Sequence, residues 1–368
     1  MSVARTAEQT AAQDAVRALS RSHRVMEAAR DESGVGWRRL WTPLANLGLF
    51  AVAVADEHGG AGGTLGDLAA MLEQSGAELI PGPVAATAVA ALVCSTEPAV
   101  PRSICTAIIE GGMPVALATG SHDAVLHTDD AGQLRLSGTF AAVDGASAES
   151  ALLVSAGHGD TNVWALVCPG APGIELTALP GIDFSTPLSR LVFHGVAVTT
   201  ALTHPHSDVE DLYLIATSAA CTGIARRCLS IASDYAKTRE QFGQPIGRFQ
   251  AIKHLCAEML CRAEQSDALV WDAASVEAAD RPLAAAAAAA IALDAAVDNA
   301  KDCIQVLGAI GFTWEHDAHL YLRRALALRH HSGGSNRWRR TASQRARSDT
   351  PRRLHVDLGA VESERPHV

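Results

Sequence analysis

The stretch "REQFGQPIGRFQAIKH", residues 239–254, lies between two segments whose sequences both favour helix. Gly243, Pro245 and Gly247 interrupt it. Inside a helix a glycine costs about 1 kcal/mol and a proline about 3 kcal/mol relative to alanine. The sequence therefore predicts a shaped break between two helices, with an arginine before it and glutamines on both sides.

The pattern of the whole chain changes twice. Residues 1–112 alternate helical patterns with short turns, including a glycine-rich turn before a helix that begins near Thr64. Short β-rich runs separated by Gly, Asp and Pro occupy 113–206, and helical patterns return over 207–345. We expect the charged residues that follow, 346–368, to form a mobile tail, with phosphate binding by the basic run as the alternative.

Composition excludes several classes of protein. The chain has 368 residues, 48% of them hydrophobic, and a net charge of −10, so it has enough apolar surface for a large core and no general affinity for nucleic acid. Its eight cysteines show no CxxC spacing, which favours reduced thiols in the cytoplasm. The N-terminal residues are polar and helical, unlike a signal peptide.

An alanine-rich segment, 282–300, has the length of a membrane span. Asp294 and Asp298 interrupt it, and alanine is only weakly hydrophobic. We expect a buried helix of a bundle and no contact with a membrane.

Three stretches resemble the acyl-CoA dehydrogenase family, and the resemblance covers nearly the whole chain. They are "YAKTREQFGQPIGRFQAIKHLCAEM" (235–259), "LANLGLFAVAVADEHGGAGG" (44–63) and "QVLGAIGFTWEHDAHLYLRRA" (305–325). The resemblance implies an α+β fold with an N-terminal helical domain (1–112), a middle antiparallel β-domain (113–206) and a C-terminal four-helix bundle (207–345). It also implies α,β-dehydrogenation of an acyl-CoA thioester by FAD.

The resemblance assigns the interrupted stretch to FAD bound mainly by a neighbouring subunit. Arg239 would pair with pyrophosphate oxygens through its forked guanidinium. The other cofactor-binding positions that it implies are Gln241, Phe242, Phe249, Gln250, Gln305, Gly308 and Gly311. A simple joint between two helices would explain the break, but not its combination with "QVLGAIG".

The catalytic base of the family has no carboxylate counterpart at either of its usual positions. Ser332 stands where many members carry the Glu that removes the α-proton, and a serine hydroxyl is a very weak base. Tyr213 stands close to the earlier position that other members use. We therefore predict no catalytic residue in this chain. An unusual base remains an open alternative. The candidates are the neighbouring side chains Glu210, Asp211, His330 and His331.

The middle domain also departs from the family pattern. The run Leu-Thr-Glu-Pro…Gly-Ser-Asp is reduced to "ALATGSHDA" (116–124). The strand Lys-x-Trp-Ile-Thr has become "TFAAVD" (139–144), with Ala142 where a Trp would stack on the flavin ring. These changes predict that the β-domain of this chain does not hold a flavin.

The chain keeps the residues that, in the family, complete the FAD site of a neighbouring subunit. It lacks the residues that hold the flavin ring and supply the catalytic base. This division resembles the short β-type subunits of actinobacterial heterotetrameric, steroid-type acyl-CoA dehydrogenases. It implies an α2β2 assembly that shares FAD with a catalytic α-type subunit, which binds most of the acyl-CoA.

Two alternatives remain open: a self-sufficient homo-oligomer with an unusual base, Glu210 or His331, and a scaffold or regulatory subunit without cofactor. A metal site is not expected, because the acidic and histidine side chains of "WEHDAHLYLRR" do not share one helix face.

Overall fold

The computed structural model describes residues 5–120 and 123–348. Two of the N-terminal helices begin with a capping box, in which a threonine and a residue three positions later satisfy each other's backbone N–H groups: Thr6 with Gln9, and Thr64 with Asp67. The helix predicted near Thr64 is thereby confirmed. The six helices of this section are α1 (Ala7–Ser22), α2 (Val25–Ala29), α3 (Arg38–Asn46), α4 (Leu65–Ala77), α5 (Val84–Ser95) and α6 (Arg102–Ile109).

The β-rich runs form one eight-stranded sheet. Its strands are β1 (Val115–Ala118), β2 (Val125–Thr128), β3 (Leu134–Asp144), β4 (Ala151–His158), β5 (Thr161–Val167), β6 (Ile174–Ala178), β7 (Leu188–Ala197) and β8 (Thr200–Ala201). The order is β6-β7-β3-β2-β4-β5-β8, and β1 lies beside β4. The pairings are antiparallel except that β1 and β2 both run parallel to β4. The predicted β-domain is confirmed, with these two parallel pairings as an addition.

Five helices follow the sheet: α7 (His206–Thr238), α8 (Gln250–Ser275), α9 (Arg281–Leu307), α10 (Ala318–His331) and α11 (Ser335–Ser348). Helix α9 lies at the centre and packs against the other four. The predicted helical bundle is confirmed.

Helix α11 includes most of the basic run near the end of the described chain. Its Trp338 is buried and donates from Nε1 to the Ser332 carbonyl oxygen at 2.6 Å. Arg339 pairs with Asp294 of α9 at 2.6 Å. Residues 346–348 of the predicted tail therefore belong to this helix, and 349–368 lie outside the described residues.

Within the described ranges, one helical segment, Arg281–Phe312, is long and apolar enough to cross a membrane by length and composition. In this fold 72% of its most apolar 18-residue window is buried inside the protein. Asn299 within it donates to the carbonyl oxygens of Ala225 (3.0 Å) and Met259 (2.9 Å). The segment is the core helix of the bundle, as its aspartates predict.

The two helical sections share one hydrophobic core, whereas the sheet has its own smaller one. Helices α4 and α7 approach so closely that a Cβ atom at Gly76 would lie 2.0 Å from the Ala220 carbonyl oxygen. An ionic cluster lies beside this contact, in which Asp267 of α8 accepts from both Arg5 and Arg226 at 2.7 Å. The first residues of the described chain are thus tied to the bundle.

Candidate functional site

The interrupted stretch is a small hairpin. Strands β9 (Glu240–Gln241) and β10 (Gln244–Pro245) pair, and a 3-10 turn (Ile246–Arg248) leads into α8. The two residues at the tip, Phe242 and Gly243, have φ of 53° and 75°. Positive φ at both central residues is what a two-residue hairpin turn requires, and it normally selects Asn-Gly. The predicted break is confirmed, and its shape is a hairpin with an unusual residue at the tip.

The apolar ring of Phe242 is exposed to water, which is unfavourable for the isolated chain. Its side chain is 92% exposed, and its only ring contact among the described residues is edge-to-face with Phe249, at 6.1 Å between centroids. A bulky residue at positive φ adds backbone strain. The exposed ring is therefore available for contact with another molecule.

Arg239 lies at the base of the hairpin with its backbone fixed on both sides. Its N–H donates to the Tyr235 carbonyl oxygen, and its own carbonyl accepts from Ile246 N–H, both at 2.8 Å. Its guanidinium is exposed and forms no ion pair with any carboxylate in the described part of the chain. The group is available for an anionic ligand.

The glutamines beside the hairpin are held locally. Gln241 donates to the Glu240 carbonyl oxygen at 2.8 Å. Gln250, the first residue of α8, lies 2.8 Å from Nε2 of His254. Both side chains are exposed, so either amide can exchange these contacts for a ligand.

The second predicted segment follows α9. Gly308 ends the helix at φ 67° and ψ −142°, a conformation that favours glycine. Gly311 packs on α9, where a Cβ atom would lie 3.1 Å from the Ile304 Cα. Gln305 is exposed, and Phe312 is 77% exposed.

The two segments lie at the same end of the bundle. Helices α8 and α9 are joined by the short connection 276–280 and run antiparallel, with Arg262 of α8 bonded to Asn299 (2.8 Å) and to Asp302 of α9. The first turn of α8 is therefore level with the residues that follow α9. An unpaired guanidinium, exposed aromatic rings and open glycine backbone fit the diphosphate and a planar ring of a dinucleotide such as FAD.

The positions where the sequence departs from the family pattern meet at a different place. An outer cavity of about 280 Å³ lies between the sheet and the bundle, and Gly120, Ala142, Tyr213 and His331 are among its lining residues. Ser121 and His122 of the predicted flavin loop lie outside the described residues. Position 142 carries no aromatic ring that could stack on a flavin, and among the described residues the aromatic side chains that line the cavity are Tyr213, His330 and His331.

Ser332 is buried under α11 and is not among the lining residues of the outer cavity. Its hydroxyl has no hydrogen-bond partner in the described part of the protein. It offers neither a carboxylate nor a polarised hydroxyl to a substrate.

The side chains that could act as an unusual base differ in whether they line the outer cavity. Glu210 pairs with Arg337 at 2.8 Å and does not line the outer cavity, although Arg337 does. Asp211 is buried, 3.7 Å from Arg345, and burial raises its pKa to about 6. His330 and His331 line the cavity. The structure therefore brings a histidine, and not Glu210, to the cavity.

Asp144, the last residue of β3, lines the outer cavity and was not identified from the sequence. Burial raises the pKa of its carboxyl group, and the nearby His331 acts in the opposite direction. The only signal in the sequence is a single acidic residue at the end of the apolar run "TFAAVD".

Comparisons with known proteins agree with this architecture. Residues 6–98 match the family model "Acyl-CoA dehydrogenase, N-terminal domain", and residues 215–346 match "Acyl-CoA dehydrogenase, C-terminal domain". The chain is 43% identical to acyl-CoA dehydrogenase FadE34 of Mycobacterium tuberculosis over 99% of its own length and 51% of that protein. It thus spans about half of FadE34.

Two further similarities cover most of this chain and most of the protein that it matches. Acyl-CoA dehydrogenase IpdE2 of M. tuberculosis is 32% identical over 78% of this chain and 80% of that protein. A solved structure of a Tcur3481–Tcur3483 steroid ACAD variant superposes with a TM-score of 0.83 at 26% identity, over 92% of this chain and 97% of the other.

Proposed function

Because the chain belongs to the acyl-CoA dehydrogenase family, we propose that it completes the FAD site of a catalytic partner subunit. The observation that carries this proposal is the contrast between its two candidate sites. The hairpin end presents an unpaired Arg239 and an exposed, strained Phe242. The outer cavity has no ring at position 142, and the buried position 332 carries a serine where the family pattern has a glutamate.

The hairpin end would hold the diphosphate and adenosine part of FAD. Arg239 donates to the diphosphate oxygens, and charge-assisted hydrogen bonds of this kind contribute about 1.5–3 kcal/mol each. Phe242 and Phe249 cover the apolar part of the ligand, Gln241, Gln250 and Gln305 supply amides, and Gly308 and Gly311 leave room for close approach. FAD supplies the hydride acceptor for α,β-dehydrogenation when it is bound.

The partner supplies what the outer cavity lacks. It carries the glutamate base, the flavin-stacking tryptophan and most contacts to the acyl-CoA. We propose an α2β2 assembly in the cytoplasm with one FAD per heterodimer, because each chain of the present type lends an edge and holds no flavin ring. FadE34 is about twice as long as the matched region, which supports a second unit of similar size as the partner.

The substrate is an acyl-CoA thioester. Similarity to a steroid ACAD that is named as a pair of chains supports a steroid side-chain thioester and a partner subunit. The acyl group itself contacts the partner in this proposal, so the described residues do not select it.

A self-sufficient enzyme is the second candidate function. His331 and Asp144 line one cavity, and a histidine beside a carboxyl group is a recognised general base. The missing support for the flavin ring counts against it.

The flavin absorbance of purified protein distinguishes the candidates. The chain is purified alone and after co-expression with a candidate catalytic acyl-CoA dehydrogenase chain, and the spectrum is recorded after dialysis. Flavin bound only in the complex, at one FAD per two chains, supports the proposal. Flavin bound by the chain alone supports the self-sufficient enzyme, and no flavin in either sample supports a scaffold.

A further inference from the structure

Two residues line both the outer cavity and a second cavity deeper in the protein. The inner cavity, of about 50 Å³, lies between the N-terminal helices, α7 and α10. Its walls are mainly apolar, with Leu72, Val84 and Ile224 among them, and Arg324 of α10 is the one cationic side chain among the described residues that line it. Asp144 and Tyr213 border this cavity as well as the outer one. They therefore stand between the two spaces.

We propose that Asp144 and Tyr213 form a partition that closes the apolar inner cavity to an acyl chain entering from the outer cavity. The inference deepens the proposed function, on which it rests, because it explains why the acyl group must be bound by the partner. An apolar cavity of about 150 Å³ is large enough for benzene, whereas the inner cavity is a third of that size. With the partition in place it cannot accept even a short alkyl chain.

The backbone holds Asp144 in place. Asp144 pairs with Leu188 of β7 at the end of the sheet. The next residue, Gly145, has φ 80° and donates from its N–H to the Pro187 carbonyl oxygen at 2.7 Å. A Cβ atom at Gly145 would lie 2.5 Å from Pro83 Cβ, so the strand end is pressed against the N-terminal section and cannot retreat.

Tyr213 forms the other half of the partition from α7, a helix of 33 residues that packs against α4, α8 and α9. Burial raises the pKa of its phenol, and the neighbouring Asp144 carboxyl raises it further. The phenol is therefore neutral at physiological pH and lies near the carboxyl group. Truncating both side chains would join the two cavities without moving a helix.

The test measures binding of straight-chain carboxylates to the isolated chain by calorimetry. Acetate, butyrate and octanoate are compared for the wild-type protein and for the double variant Asp144→Ala/Tyr213→Ala. Opening of the inner cavity predicts affinity that rises with chain length, by about fourfold for each methylene group that becomes buried. The wild-type protein should show no dependence on chain length.

Two matched variants separate shape from charge. Asp144→Asn removes the negative charge and keeps the volume, and Tyr213→Phe keeps the ring; both should behave as the wild type. An equal gain for acetate and octanoate would mean a charge effect and would overturn the partition, as would chain-length-dependent binding by the wild type. If the double variant does not fold, the single variant Tyr213→Ala is tested instead. Its affinity for the carboxylates should also rise with chain length.

Neither FAD nor a partner chain is present in this assay. Failure of the chain to complete a partner's FAD site would therefore leave the result unchanged, and a negative result here would leave the FAD proposal standing.

Discussion

A Cβ atom at Gly223 of α7 would lie 1.7 Å from the carbonyl oxygen of Glu73 in α4. Each helix contributes one glycine to this crossing, since Gly76 of α4 meets Ala220 of α7 in the same way. The backbones are in direct contact, and no side chain separates them.

Gly223→Ala should lower the free energy of unfolding by at least about 3 kcal/mol, because the added methyl group meets backbone that cannot rotate away. Gly66→Ala in α4 is the matched control: its nearest neighbour would be a Trp271 ring carbon at 3.3 Å, so its effect should stay within about 1 kcal/mol. Urea denaturation measures both. Equal stabilities of the two variants would contradict the backbone contact.

Phe242→Asn should stabilise the isolated chain by about 0.5–1 kcal/mol, because asparagine tolerates positive φ and a polar side chain suits an exposed turn. The same change should lower the flavin content of the complex. Val125→Asn, at a half-exposed apolar position of β2 in the sheet, should leave the flavin content unchanged. Loss of flavin in both variants would contradict a specific contribution of the hairpin tip to flavin binding.

Arg239→Ala should weaken FAD binding by the complex about ten- to a hundredfold, through loss of charge-assisted hydrogen bonds, and leave assembly intact. Arg248→Ala, an exposed arginine of the same loop, is the control. Retained FAD is measured by absorbance after dialysis. If both variants keep their flavin, the phosphate assignment of Arg239 is wrong.

Ser332→Glu should not create dehydrogenase activity in the isolated chain. The position is buried and its hydroxyl is unpartnered among the described residues, so a carboxylate there lacks both compensating donors and a supported flavin. The variant should be less stable than Ser332→Ala, which removes a hydroxyl that makes no hydrogen bond within the described ranges. Acyl-CoA dehydrogenation by the glutamate variant alone, measured with an artificial electron acceptor, would defeat the split-site proposal.

As the pH rises from about 4 to about 6, ionisation of Asp211 should lower the free energy of unfolding. Burial raises its pKa to about 6 in the folded chain, from the ordinary value of 3.8 that we assign to the unfolded chain. Below pH 4 the carboxyl is protonated in both states. As the pH rises, the unfolded chain releases its proton first, and the folded state is destabilised by up to about 3 kcal/mol, a penalty that stays constant above pH 6.

The variant Asp211→Asn should flatten this part of the pH profile. Glu210→Gln, one residue away at a more exposed ion pair with Arg337, is the control and should leave the decline in place. Stability curves from pH 3.5 to 7 test both. A decline of equal size in Asp211→Asn would assign it to another group.

The order of the sections and the break at 239–254 could be predicted, because glycine, proline and apolar period act locally. The hairpin at Phe242 could not, since a phenylalanine is a poor residue for a turn that requires positive φ. The basic sequence at the end of helix α11 predicts a tail instead. Residues 346–348 nevertheless continue helix α11, which is held to the bundle by the burial of Trp338 and the pairing of Arg339 with Asp294.

The candidate cavity was harder to predict than the hairpin end. Its residues come from β1, β3, α7, α10 and α11, so no stretch of sequence contains it. Asp144 belongs to no motif, and Glu210 is a candidate base by sequence position alone, whereas the structure pairs it with Arg337. Which side chains share a cavity depends on how the sections pack together.

The ionic contact between Arg5 and Asp267 joins residues 262 positions apart. A ribosome adds about 5–20 residues per second, so about 13 to 52 s separate the synthesis of the two ends of this contact. For the part of that time between the synthesis of α4 (Leu65–Ala77) and of α7 (His206–Thr238), the surface of α4 that will meet α7 presents apolar side chains to water. We expect chaperones to shield it. Helix α4 is thus synthesised well before α7, the helix on which it packs.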